Sequence, residues 1–91
     1  MPRYMVERTF PDGLHIPSDP NGAQACLNVV GNNARGQVTW VHSYVTKDKG
    51  RTFCIYDAPS PEAIREVAGL NALPVDSITE VRVLDPYFYY E

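Results

Sequence analysis

Side chains that bind metals strongly are scarce in this sequence, which has two cysteines and two histidines. Cys26 and Cys54 lie far apart with no C-x-x-C spacing, which excludes a zinc-ribbon or thioredoxin-like site and predicts two reduced thiols. Basic runs are missing too. Eight Lys+Arg stand against 11 Asp+Glu, for a formal net charge of -3, so nothing here tracks a phosphate backbone and no nucleic-acid partner is expected. No window approaches the roughly 18 apolar residues of a membrane span, and the opening "MPRYMVERTF" lacks an apolar run of signal-peptide length. The expectation is a cytoplasmic protein with no membrane association. G-x-S-x-G, the phosphate-binding P-loop and H-E-x-x-H are all absent, which removes the common hydrolase, nucleotide and zincin signals.

What remains has the composition of a folded domain, 44% hydrophobic and 21% charged. At 91 residues the chain holds one core, so a single domain over residues 1–91 is predicted. "RYMVERT" from Arg3 to Thr9 alternates as a strand does, and "FPDG" supplies a turn. A helix follows, with Ser18 or Asp19 as its cap, Pro20 in its first turn and Gly36 as its stop. Its predicted buried stripe is Ala23, Cys26, Leu27, Val30 and Ala34, and Gly31 with Asn28, Asn32 and Asn33 weakens its middle. Strands at 37–45 and 51–57 flank the hairpin loop "TKDKG". "SPEAIREVAGLNA" reads as a second helix capped by Ser60, burying Ala63, Ile64, Val67, Ala68 and Leu70. A last strand is predicted over 77–85, before the aromatic tail "PYFYYE". The order β-α-β-β-α-β predicts a ferredoxin-like α+β fold, a four-stranded antiparallel sheet with two helices on one face.

Such a sheet has a second, open face. Strand alternation assigns Tyr4, Val6, Val41, Ser43, Val45, Phe53, Ile55, Val81 and Val83 to the helix side. It assigns Met5, Glu7, Thr9, Trp40, His42, Tyr44, Thr52, Cys54, Tyr56, Ile78, Glu80 and Arg82 to the open side. On that reading His42, Glu7 and Cys54 converge, and with His15 from the loop "DGLHIPSD" they form the candidate ligands of a divalent transition metal. Trp40, Tyr44 and Tyr56 on the same face are candidate ligand or interface anchors, and so rich an aromatic surface predicts a two-fold homodimer.

The stretches "YMVERTF", "VTWVHSYVTKDKGRTFCIYDAPSPEAIR" and "ITEVRVLDPYF" together resemble a family of small bacterial ferredoxin-like proteins that includes a dimeric nickel-binding protein. The resemblance spans nearly the whole chain. It implies a homodimer that takes Ni²⁺ for sequestration or storage, and it carries no particular ligand onto these residues. Two other functions stand beside it. One is a cofactor-free enzyme of the oxygenase or cyclase type, with His42 as general base and a pocket on the open face. The other is a non-catalytic interaction module that uses the open face and the tail residues Tyr87, Phe88, Tyr89 and Tyr90.

Overall fold

The computed structural model describes residues 1–16 and 19–87, so Ser18 and the tail residues Phe88, Tyr89 and Tyr90 lie outside the described residues. Six elements follow one another: β1 (Arg3–Thr9), α1 (Pro20–Arg35), β2 (Thr39–Val45), β3 (Arg51–Asp57), α2 (Pro61–Leu70) and β4 (Ser77–Val81). The four strands form one antiparallel sheet in the order β2-β3-β1-β4. This is the ferredoxin-like fold predicted above. β2 starts two residues later than expected, and β4 ends at Val81 rather than running to Asp85.

The helices begin as their sequences dictate. Asp19 is extended and its carboxylate accepts from the Gly22 amide at 3.1 Å, with Pro20 in the first turn. Ser60 does the same for the Ala63 amide at 3.2 Å. Their ends are less orthodox. Val38 N–H donates to Asn33 O and Gln37 N–H to Ala34 O, while Leu73 N–H donates to Ala68 O and Ala72 N–H to Gly69 O. Both pairs are Schellman closures, and the residue each closure forces into the left-handed region is Gln37 (φ 59°) or Ala72 (φ 54°), not glycine. Gly36 stands one position earlier than the left-handed residue, and a Cβ there would come within 2.7 Å of Val67 Cγ1. It is glycine so that the end of α1 can lie against α2.

Two of the three asparagines expected to weaken α1, Asn32 and Asn33, instead fasten it. Asn32 Nδ2 donates to Asn71 Oδ1 at 2.8 Å, and Asn71 Nδ2 donates to Asn33 Oδ1 at 3.0 Å. These bonds tie the last turn of α1 to the cap of α2, and the helix runs unbroken through Gly31. The α1 face turned inward is Gly22, Cys26, Val29 and Asn33, which are buried or half-buried. Leu27 and Val30, assigned to the core from sequence, are 63% and 48% exposed. α2 buries Ile64, Val67 and Ala68 as predicted, but Leu70 is exposed.

The core comprises Tyr4 and Val6 of β1, Cys54 and Tyr56 of β3, Ile64 and Val67 of α2, and Val38 and Ala58. This corrects the assignment of sheet faces. Tyr4 pairs with Tyr56, Val6 with Cys54 and Arg8 with Thr52, so these residues of β1 and β3 share the helix side. Phe53 and Ile55, expected under the helices, lie opposite Glu7 and Met5 on the open side. Ile78, opposite Val6, joins the core, whereas Val81 pairs with Arg3 on the open side. In β2 an irregularity between Trp40 and His42 shifts the alternation by one residue. Trp40, opposite Tyr56, therefore faces the helices with Ser43 and Val45, while His42 and Tyr44 face out. The indole Nε1–H of Trp40 donates to Ser43 Oγ at 2.8 Å across the bulge.

Candidate functional site

The open face is built in rows across the strands. His42, Ile55, Met5 and Thr79 form one row, and Tyr44, Phe53, Glu7 and Ser77 the next. Ion pairs bracket these rows. At one end Arg3 grips Asp57 through Nε–Oδ1 at 2.8 Å and Nη2–Oδ2 at 3.1 Å, which holds the Asp57 carboxyl below its usual range and raises Arg3. At the other, Glu7 accepts from Arg51 Nη2 at 3.0 Å with one oxygen and from Ser77 Oγ at 2.7 Å with the other. Glu7 is therefore committed to structure on both oxygens. Arg51 also lies over the Phe53 ring, 5.2 Å from its centroid. His42 is exposed, with its ring edge-on to Tyr44 at 5.1 Å between centroids and no hydrogen bond among the described residues.

The four candidate ligands do not converge. His42 and Glu7 share the open face, Cys54 is buried on the helix side, and His15 sits in the exposed loop beyond β1, where its Nε2 lies 3.0 Å from Asp12 O. Among the described residues no group of three or more His, Cys, Asp or Glu could hold a metal ion. Tyr56 and Trp40 likewise leave the open face, and of the three aromatic anchors Tyr44 alone stays there, 63% exposed.

On the opposite side of the sheet, a cavity of about 280 Å³ opens between α1, the loop after β1 and the strands. Phe10, Leu14, Val29, Trp40 and Leu73 line it with apolar surface, and both free thiols, Cys26 and Cys54, stand on its wall. His42 does not line it. Its one charged lining residue is Arg8, which is 2% exposed. Arg8 Nη1 donates to Tyr56 Oη at 3.3 Å, its guanidinium lies 5.7 Å from the Tyr56 ring centroid, and its Nε has no hydrogen-bond partner among the described residues. Burial pushes the Tyr56 phenol up, partly offset by the adjacent guanidinium, so the hydroxyl keeps its proton at neutral pH.

With both faces known, comparison with other proteins becomes informative. Residues 4–81 match the family model described as nickel responsive protein SCO4226-like. This chain belongs to the SCO4226-like family. Among solved structures, SCO4226 from Streptomyces coelicolor A3(2) superposes with a TM-score of 0.70 at 20% identity, covering 91% of this chain and 99% of that one. At that identity the likeness speaks for the fold. A search of curated proteins finds none that matches.

For this SCO4226-like chain, sequence reasoning missed Arg8. The signal was present: Arg8 has the same strand parity as Tyr4 and Val6, so a charged side chain stood on the parity assigned to the core. A buried arginine at such a position needs a partner, and a search for one would have pointed to the helix side.

Proposed function

We propose that this protein binds Ni²⁺ as a homodimer joined through the open face, with His42 of each copy supplying an imidazole, and that it serves in sequestration or storage. The carrying observation is the placement of His42 in a chain whose family is described as nickel responsive. His42 is exposed, free of hydrogen bonds among the described residues, and set beside Met5, Ile55, Phe53 and Tyr44. An apolar centre bracketed by ion pairs suits an isologous interface, in which each ligand occurs twice. Ni²⁺ accepts imidazole together with water or carboxylate, so two histidines from two copies form the nucleus of a site that one copy does not complete.

Native mass spectrometry on tag-free protein, with Ni²⁺, Zn²⁺ and Co²⁺ added separately, tests the assembly and the stoichiometry together. The expected result is a dimer with a fixed number of nickel ions. In calorimetric titration His42→Ala should weaken binding at least tenfold, while His15→Ala, in the loop beside the hairpin, should leave it within a factor of two or so. Undiminished stoichiometric binding by the His42→Ala protein would sink the assignment.

A further inference from the structure

The helix-side cavity is unusual in combining an apolar wall with a buried cation. Arg8 is 2% exposed, and among the described residues it forms no ion pair with any carboxylate. Arg8 donates to a neutral phenol and lies over that phenol's ring, and its buried Nε lacks a partner among the described residues, while the residue itself lines the cavity. A guanidinium taken out of water without an anion is costly, so the site is electrostatically incomplete in the chain alone. The Nε–H beside an Nη–H is the fork that a carboxylate accepts with two oxygens.

We propose that this cavity binds a small organic monocarboxylate with an apolar body, its carboxylate on the Arg8 guanidinium and the Tyr56 hydroxyl and its body among Phe10, Val29, Trp40 and Leu73. One cation and one phenol match a single negative charge, whereas a phosphate dianion would leave charge unpaired among apolar side chains. The volume sets the size of the body. A cavity of 150 Å³ holds benzene, so about 280 Å³ accommodates on the order of ten non-hydrogen atoms. Ile16 and Val45, 46% and 48% exposed, form the rim by which it enters. The site lies across the sheet from His42 and is independent of the nickel reading.

Trp40 is the chain's one tryptophan and lines the cavity, so its fluorescence reports occupancy directly. The probe is 3-phenylpropanoate, compared with its neutral isostere 3-phenylpropanamide, on protein treated with a chelator. The carboxylate should give a saturable change with an affinity at least tenfold above that of the amide. Equal affinities, or no saturable change with either compound, would overturn the proposal. Ala25→Phe, at an exposed position of α1 on the cavity wall, should abolish the response with the circular dichroism unchanged. Binding at wild-type strength by that folded variant would also overturn it. Arg8→Met should erase the preference for the carboxylate, and if that variant does not fold, the two preceding measurements still decide.

Discussion

Gln37 and Ala72 occupy the left-handed region at the C-terminal ends of α1 and α2, a conformation that costs a residue with a Cβ about 1 kcal/mol. Ala72→Gly and Gln37→Gly should each stabilise the protein by about 0.5–1 kcal/mol, read as a higher urea midpoint at constant slope. Gly36→Ala should do the reverse. Its methyl meets Val67 Cγ1, and overpacking of this kind costs about 1–3 kcal/mol. The two positions are adjacent in sequence, yet they respond with opposite sign because one is limited by backbone torsion and the other by space. Asp57 offers a prediction in pH. Its carboxyl is held below the usual range by Arg3, so the pair stabilises the fold above the ordinary carboxylate value of about 3.9 and loses that contribution as pH falls through the folded value. Both side chains are about one-third exposed, which limits the contribution to roughly 0.2–1 kcal/mol. Asp57→Asn should therefore lower the urea midpoint modestly at pH 7, and the two proteins should converge once the pH has fallen below the folded value of Asp57.

Elements were legible where one local cue sufficed. The Ser60 cap, the α1 cap to within the pair Ser18 and Asp19, both proline first turns, the hairpin loop and the succession of elements along the chain follow from the sequence because each depends on residues within a few positions of one another. Relative phase was not legible. β3 carries apolar or aromatic residues on both parities, Phe53 and Ile55 against Cys54 and Tyr56, so its alternation fits either face until its register with β1 is known. The β2 bulge then divides Trp40 from His42, which no alternation pattern reveals. α1 poses the same ambiguity at helical spacing: 22, 26, 29, 33 and 23, 27, 30, 34 both make stripes, and the more hydrophobic one faces out. The structure thus predicts that Ile64→Ala in α2, where the side chain is 1% exposed, costs about 2–5 kcal/mol, whereas Leu27→Ala costs less than about 0.5 kcal/mol. Equal losses in urea denaturation would mean that α1 presents its other stripe to the sheet.

At the scale of the whole molecule, one sheet separates two chemistries. The open face has an exposed imidazole among apolar and aromatic residues, while the helix side has a buried guanidinium in an apolar cavity, and no side chain described above belongs to both. They should therefore be separable by mutation. Tyr44 is 63% exposed beside His42 and does not line the cavity, so Tyr44→Asp places an unpaired charge at the centre of the proposed interface at little cost to the monomer. Sedimentation velocity should show the wild type as a dimer and the variant as a monomer. Nickel affinity should fall with dimerisation, because each copy supplies one His42, and the fluorescence response to 3-phenylpropanoate should persist unchanged. A variant that remains dimeric would move the interface to another exposed apolar surface, such as the outward stripe of α1 containing Leu27 and Val30. Nickel binding retained by a monomeric variant would instead place the metal within one copy and remove the reason for sharing His42 across the two-fold axis.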